Sequence, residues 1–238
     1  MNRWIHTFLI LLSAPALAGE TIVDLTHAYD ADTIYWPTAP GFELEVDFRG
    51  MTDGGWHYEA NTFRSAEHGG THLDAPIHFA EGRQHADEIP LDHLIGPAVV
   101  LDVTEQAASD RDYQVSVDDF KEWEDQHGRL PDGFIVLIRT GFGKFWPDRV
   151  RYMGTDQRGA EAVALLHFPG LHPETASWLV GNRAIHAIGL DTPSIDYGQS
   201  KIFESHRILF AHDIPAFENF VTSGAFKNLV QTKYPDKM

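Results

Sequence analysis

Three short, almost uninterrupted apolar runs limit how this chain can fold. They occupy residues 98–103, 134–139 and 184–190, and each contains at most two polar or charged side chains. Runs of this length without polar alternation are typical of strands covered on both faces, as in parallel sheets with helices packed against them. The sequence therefore predicts a sheet whose central strands are buried.

Helix signals lie between these runs. Ser116 is a suitable N-cap, with Asp119 three residues later, and Pro173 is placed to open a second helix that Gly181 should stop. Strands with helices interspersed predict an α/β fold with a mixed sheet. A length of 238 residues fits one domain with a well-buried core.

Three further strands are predicted upstream of residue 68. Residues 21–25 form a short apolar segment, residues 42–48 alternate apolar and polar as in a half-buried strand, and residues 58–63 follow the same pattern. Four aromatic residues lie in or near these segments, and they suit either a pocket wall for an aryl ring or ordinary core: Trp36, Trp56, Tyr58 and Phe63. We favour core for Phe63 and the pocket for Trp36, which lies beside a proline.

The first eighteen residues have the composition of a secretory signal peptide. Arg3 precedes a short apolar core, and Ala16-Leu-Ala18 forms a small-residue cleavage site before Gly19. A membrane anchor is the alternative, but the apolar run is shorter than the ~20 residues that span a bilayer. We therefore expect a signal peptide at 1–18, a mature domain at 19–238, and a periplasmic or secreted protein.

The charge of the chain excludes one class of partner. Thirty-five acidic residues stand against 18 basic ones, which gives a formal net charge of −17. Nucleic acids need a basic face for their phosphates, so we expect no nucleic-acid partner. After signal cleavage we expect no membrane partner either.

Residues 68–78 form the segment with the clearest chemistry. They read His68-Gly-Gly-Thr-His72-Leu-Asp74-Ala-Pro-Ile-His78. Two imidazoles and a carboxylate are enough to hold a divalent metal such as Zn, Mn or Fe, and one polar group is left for proton transfer. The glycines and Pro76 argue against a helix, and an extended segment would place His72 and Asp74 on the same face. The segment predicts a metal-centred hydrolase.

This segment resembles the His-x-Gly-Thr-His-x-Asp-x-Pro-x-His signature of the cyclase family of metal-dependent hydrolases. That family includes isatin hydrolases and bacterial kynurenine formamidases. The resemblance extends over most of the mature chain. It is also carried by Trp36-Pro37, Gly189-Leu-Asp191-Thr-Pro-Ser194-Ile-Asp196, His206 and Phe217-Glu-Asn.

The resemblance implies a set of metal ligands. It assigns His68, His72 and Asp74 to a first metal, with Asp74 bridging to a second ion. The other ligands of that ion are a distal histidine and a glutamate twelve residues further on, which His206 and Glu218 match. From the residues alone, these two would be assigned to surface ion pairs. The implied cofactor is therefore one or two divalent ions, Mn or Zn.

The resemblance also implies a fold, an assembly and further roles. It makes His78 the general acid/base and Trp36 a residue of the substrate pocket. Its fold is a swivelling β/β/α domain, and its members form homodimers or larger assemblies with active sites near subunit contacts. The chain contains no Gly-x-Ser-x-Gly sequence, which counts against a serine hydrolase.

Three functions stay open at this point. The first is hydrolysis of an aryl lactam by metal-activated water, with isatin to isatinate favoured, because residues 67–82 and Phe217-Glu-Asn look more like isatin hydrolases. The second is kynurenine formamidase activity on N-formylkynurenine, which export disfavours. The third is an exported protein that binds a metal or a small aryl acid without turnover.

Overall fold

The computed structural model describes residues 22–222. The predicted signal peptide at 1–18 lies outside the described residues, as do residues 19–21 and 223–238 of the predicted domain. Within 22–222, no helix combines the length and the apolar character that crossing a membrane requires.

A five-stranded mixed sheet forms the centre of the fold. The sheet comprises β3 (His72–Asp74), β4 (Ala98–Asp102), β6 (Ile135–Arg139), β8 (Ala187–Leu190) and β9 (Ala216–Glu218). The strand order is β3-β9-β8-β6-β4, in which β9, β8, β6 and β4 are parallel and β3 is antiparallel to β9. The three apolar runs are the strands β4, β6 and β8, as predicted.

Helices flank this sheet, and a minor pair of strands lies beside it. The pair is β5 (Gln114–Val115) and β7 (Gly170–Leu171), which run parallel. The α-helices in the described range are α1 (Leu91–Leu94), α2 (Thr104–Ser109), α3 (Val117–His127), α4 (Arg149–Met153), α5 (Pro173–Asn182) and α6 (Glu204–Phe210).

The side chains of β6 show why its apolar run is continuous. Val136 and Ile138 pack into the main core with residues of α3, α5 and α6, whereas Ile135 and Leu137 pack into a smaller cluster on the opposite face. Successive side chains of a strand point to opposite faces, so a strand covered on both sides needs apolar residues at every position.

The predicted starts of α3 and α5 are confirmed. The Ser116 hydroxyl accepts a hydrogen bond from the backbone N–H of Asp119, and the Asp119 carboxylate accepts one from the backbone N–H of Ser116. Pro173 occupies the first turn of α5. The predicted stop at Gly181 is wrong by one residue, because α5 runs to Asn182 and ends where Arg183 turns to extended backbone.

The two strands predicted at 42–48 and 58–63 form a hairpin that stands apart from the sheet. They are β1 (Glu43–Met51) and β2 (His57–Arg64), paired antiparallel. The prediction that 42–48 is half-buried is wrong, because every residue of β1 except Gly50 is exposed. The assignment of Phe63 to the core is also wrong, since Phe63 is 69% exposed. Alternation predicted the strands, but it did not reveal that neither face of the hairpin packs on the domain.

The strand predicted at 21–25 is also wrong for the residues that are described. Residues 22–25 pair with no strand. The Leu25 carbonyl accepts one hydrogen bond, from the backbone N–H of Val221, and the Leu25 side chain packs against the smaller apolar cluster of the sheet. Leu25 therefore covers a sheet face instead of extending the sheet, and Ile22 is exposed.

Candidate metal-dependent active site

The candidate site lies at the edge of the sheet where the parallel strands β8 and β9 end. Glu218 is the last residue of β9, and it pairs directly with His72, the first residue of β3. This edge is where open α/β sheets bind ligands, because the loops that leave the strand ends enclose a crevice. The sheet register therefore brings together two residues that are 146 positions apart in the sequence.

Residues 72–74 of the segment 68–78 form the extended strand β3, as predicted, and Pro76–His78 then form one 3₁₀ turn that carries His78. Gly70 has φ +62°, a left-handed conformation that favours glycine, and this turn leads into β3. Gly69 lies against the ring of Tyr35, where any Cβ would be about 2.0 Å from a ring carbon. His72 and Asp74 share a face, with His72 Nε2 3.0 Å from Asp74 Oδ1.

Helix α6 supplies a second histidine to the same cluster. His206 Nε2 lies 3.1 Å from Glu218 Oε1 and 3.3 Å from Asp74 Oδ2. His68 completes the cluster, with its Nδ1 2.6 Å from Asp74 Oδ1. The structure therefore brings together all five residues that were predicted as metal ligands.

The cluster concentrates charge in a place that water hardly reaches. Asp74, His206 and Glu218 are all buried. Burial would raise the pKa of Asp74, but hydrogen bonds from His206 and His68 and the nearby His72 imidazole hold that pKa well below its usual value. Burial and the charge of Asp74 raise the pKa of Glu218. Two carboxylates this close in the interior repel each other and require cationic compensation.

The two buried imidazoles show the opposite response. Burial lowers the pKa of a histidine, but the neighbouring Asp74 and Glu218 outweigh it and raise the pKa of His72 to about 9. Burial likewise opposes protonation of His206, while hydrogen bonds to Asp196, Asp74 and Glu218 raise its pKa well above the usual value. The same two carboxylates therefore favour positive charge on both rings.

The donor set fits a divalent cation. His72 Nε2 is buried and has no hydrogen-bond partner among the described residues, because its approach to Asp74 is poorly aligned for one. Ligand atoms of His72, Asp74 and Glu218 all lie within 4.8 Å of one another, as do those of His68, Asp74 and His78. Imidazole nitrogens and carboxylate oxygens without thiolates suit Zn or Mn. Asp74 belongs to both groups, whereas the predicted ligand His206 belongs to neither, and His78 was predicted as the acid/base and not as a ligand.

His78 lies at the rim of the cluster and is exposed. Its ring stacks on that of His68, with centroids 3.7 Å apart. Partial removal from water lowers the pKa of His78 to about 4; the charge of Asp74 opposes this shift, and the imidazoles of His68 and His206 add to it. His78 is therefore neutral at pH 7 and has an accessible ring, although its position also places it within reach of a metal.

A cavity of about 290 Å³ opens onto the cluster. Trp36 lines it, as predicted, and its ring centroid lies 6.2 Å from that of Phe203, which packs against Phe79 at 5.0 Å. Trp56 and Tyr58 do not line this cavity, because they belong to the exposed hairpin. All seven predicted site residues line it: Trp36, His68, His72, Asp74, His78, His206 and Glu218. Their individual roles stay predictions.

Several residues of the cavity were not predicted. Phe203, Phe79 and Asn219 line it, and none carries a local pattern that separates it from core residues. Phe203 has φ +50° and ψ +50° at the start of α6, which is unusual for a bulky side chain. Only the folded chain shows that this strained residue faces the site.

Comparison with known proteins gives consistent results. Residues 23–197 match the model of the putative cyclase family. An isatin hydrolase of Roseibium aggregatum is 28% identical over 219 residues, covering 83% of this chain and 78% of that protein. A kynurenine formamidase of Bacillus mycoides is 27% identical over 202 residues, covering 84% and 81%.

Solved structures agree with this result. Isatin hydrolase A from Labrenzia aggregata, bound to benzyl benzoate, superposes with a TM-score of 0.73 at 29% identity. That match covers 84% of this chain and 80% of the other. Isatin hydrolase A from Ralstonia solanacearum gives a TM-score of 0.71 at 28% identity, covering 86% and 80%. The α/β fold with a mixed sheet is thus shared across nearly the whole described chain.

Proposed function

The chain belongs to the putative cyclase family, and from that premise we propose that it is a metal-dependent hydrolase of a small aryl amide. The observation that carries the proposal is the buried cluster of two carboxylates and two imidazoles at the floor of an aromatic cavity. His72, with its orphaned Nε2, has a ligand atom placed for a cation.

The residues of the chain divide the chemistry between them. A divalent ion bound by His68, His72, Asp74, His206 and Glu218 would supply Lewis-acid polarisation of the scissile carbonyl and a lower pKa for water. His78 accepts the proton of the attacking water and returns it to the leaving nitrogen as the C–N bond breaks. Its place at the rim, stacked on His68, puts its ring within reach of both cluster and substrate.

Isatin is the substrate that we favour. A volume of about 290 Å³ suits one small ring system. Trp36, Phe203 and Phe79 offer apolar ring faces for a planar bicyclic substrate. N-formylkynurenine also carries an amino-acid chain, and no arginine or lysine lines the described cavity to pair with its carboxylate.

A comparison of kcat/KM for the two substrates tests this choice. The mature protein, stripped of metal and reloaded with Mn²⁺ or Zn²⁺, should open isatin to isatinate with a kcat/KM at least ~10-fold above that for N-formylkynurenine. The reverse ratio would make the kynurenine formamidase assignment correct. No turnover of either substrate by the reloaded protein would contradict both.

His78 separates an enzyme from a protein that only binds a metal or an aryl acid. A binding protein has no need of an accessible neutral imidazole beside its ligands. We expect His78→Ala to retain metal while kcat falls by ~10²–10⁴-fold, the usual contribution of a general acid/base. Wild-type kcat in this variant would remove His78 from the mechanism, and loss of bound metal would make it a ligand instead.

We also propose that the cluster holds two ions that share Asp74. The support is geometric, since Asp74 Oδ1 faces His68 and His72 while its Oδ2 faces His206. Elemental analysis of the purified protein should give about two Mn or Zn per chain. A single tightly bound ion per chain would contradict the two-ion proposal, and the ligand residues left over would be available for substrate binding or proton transfer.

Export and self-association complete the proposal. Residues 1–18 support export. The mass of the protein recovered from a periplasmic fraction would test this, and we expect a mature chain that starts near Gly19.

The hairpin supports a homodimer or larger assembly, because an isolated two-stranded ribbon is marginally stable and this one exposes Leu44, Val46 and Phe63. Light scattering should show more than one chain per particle, and Phe63→Glu should shift it toward monomer.

A further inference from the structure

The carboxylate of Asp196 lies behind His206, on the side of the ring that faces away from the cluster. Asp196 Oδ2 is 2.5 Å from His206 Nδ1, while His206 Nε2 faces Asp74 and Glu218. Asp196 is 2% exposed and does not line the cavity. It therefore touches neither the candidate ion nor the substrate.

We propose that Asp196 is a positioning residue for metal binding, which fixes the tautomer and orientation of His206. This inference rests on the proposed function of the cluster as a metal site. The carboxylate accepts the proton of Nδ1, so the lone pair is left on Nε2, between the two carboxylates that share the ion. Histidine ligands depend on such partners for both ring orientation and ligand basicity.

Asp196 is itself held in place on the side of helix α6. Its Oδ1 accepts hydrogen bonds from the backbone N–H of Ser205 at 3.0 Å and the Ser200 hydroxyl at 3.4 Å. Its Oδ2 also accepts from the backbone N–H of His206 at 3.2 Å. Each oxygen therefore has two donors, and the carboxylate has little freedom to move relative to the ring that it orients.

These contacts also replace a helix cap. Phe203, at the N-cap position of α6, makes no side-chain cap hydrogen bond, and its backbone is left-handed. Asp196 instead satisfies free N–H groups of the first turn from the loop that follows β8. Any test must therefore separate loss of helix stability from loss of the oriented imidazole.

The variant Asp196→Asn, with Asp119→Asn as its control, makes this separation. In Asp196→Asn one carboxylate oxygen is replaced by an NH2 group, which donates hydrogen bonds and cannot accept them. Where this group faces Nδ1 of His206, it favours the tautomer with the proton on Nε2, and that proton blocks metal binding. Asp119 is also a buried carboxylate that caps a helix, but it bonds Ser116 and Tyr113 and is no part of the cluster. Both variants remove a capping charge, and only one faces a predicted ligand.

Competition with a chelator measures the affinity of each protein for Zn²⁺ and Mn²⁺. We expect Asp196→Asn to weaken binding ~10–100-fold, as is usual when the partner of a ligand histidine is lost, and Asp119→Asn to stay within about 3-fold of wild type. Equal weakening in both variants, or wild-type affinity in Asp196→Asn, would overturn the positioning role. If wild type itself binds neither ion, the proposed function fails as well.

A measurement on the wild-type protein keeps the inference testable even if Asp196→Asn does not fold. In the Zn²⁺-loaded protein, long-range ¹H–¹⁵N spectra identify which ring nitrogen of His206 carries the proton. We expect a proton on Nδ1 that exchanges slowly with solvent because it is buried against Asp196. A proton on Nε2 would overturn the proposal, whatever the enzyme's activity.

Discussion

Two buried carboxylate centres lie at the same edge of the sheet, and their partners differ in kind. Asp191, directly after β8, is fully buried and accepts hydrogen bonds from five neutral donors. These are the backbone N–H groups of Thr140, Gly141 and Gly143 and the hydroxyls of Thr140 and Thr222, at 2.7–3.4 Å. Asp74 instead faces imidazoles and a second carboxylate.

The difference separates a structural centre from a candidate metal centre. Asp191 is surrounded by fixed dipoles from the loop after β6, so it ties that loop to β8 and to the segment after β9. The Asp74–Glu218 cluster leaves a ligand nitrogen of His72 without a hydrogen-bond partner and places like charges together. Asp191 already has hydrogen-bond donors for both of its oxygens, whereas a bound cation would complete the Asp74–Glu218 cluster.

The largest expected effect is the loss of activity in Asp74→Asn. Because Asp74 contacts three histidines and belongs to both candidate ligand groups, its replacement should abolish metal binding and lower kcat/KM by ~10³-fold or more. Steady-state assays with Mn²⁺ or Zn²⁺ added would measure this. Stability of the metal-free protein should change much less than activity, and a variant that retains activity would refute the role of Asp74.

Asp191→Ala should show the reverse pattern. Its loss leaves buried N–H and hydroxyl groups without acceptors, which should lower the free energy of unfolding by about 3 kcal/mol. Urea unfolding of metal-free protein would measure that change. At temperatures where the variant is folded, its metal affinity should stay within a few-fold of wild type. A large loss of affinity with little loss of stability would show that the two centres are not distinct.

His27 provides a third case with a smaller expected effect on stability. Its buried ring nitrogen has neither the neutral donors that surround Asp191 nor the charged partners that surround Asp74. Its ring stacks on Trp146 at 4.1 Å, and its Nε2 has no hydrogen-bond partner among the described residues. Burial lowers the pKa of His27 to about 4. The unfolded chain then binds a proton near pH 6.5 that the folded chain does not, so stability falls as the pH drops from about 6.5 to 4.

The variant His27→Phe isolates this contribution because it keeps a ring against Trp146. Since His27 is only partly buried, the pH-dependent loss should be about 1–2 kcal/mol, less than the full shift implies. Urea unfolding at pH 7 and pH 4.5 should show that His27→Phe loses less stability than wild type between the two values. Equal losses would mean that His27 is protonated in the folded protein.

The site residues that the local sequence pattern predicts, without the family resemblance, lie close together in the chain. His72 and Asp74 lie two positions apart on one strand, so period-two alternation places them together without knowledge of the fold. His206 and Glu218 reach the cluster through a helix and through the register of β9 with β3, which residues alone do not encode. Only the family resemblance selected them.

The errors have a physical cause as well. The alternation of residues 42–48 correctly predicts a strand, yet burial depends on what packs against it, and the hairpin leaves Phe63 exposed. The sequence marks Asp196 only as part of a segment that resembles the family, because its role depends on the direction in which α6 presents His206. Core strands are predictable from composition, whereas surfaces and side-chain partners arise from the tertiary arrangement.

A metal titration that follows binding and catalysis together tests whether the cluster around Asp74 is a catalytic metal site. Metal-free wild-type protein receives Mn²⁺ or Zn²⁺ in sub-stoichiometric steps, and isatin opening is recorded at each step beside the amount of bound ion. We expect no turnover without metal and a rate that rises in proportion to the occupied sites until they are filled. Turnover by the metal-free protein, or full occupancy without hydrolysis of any aryl amide tested, would contradict the assignment of this cluster as a catalytic metal site.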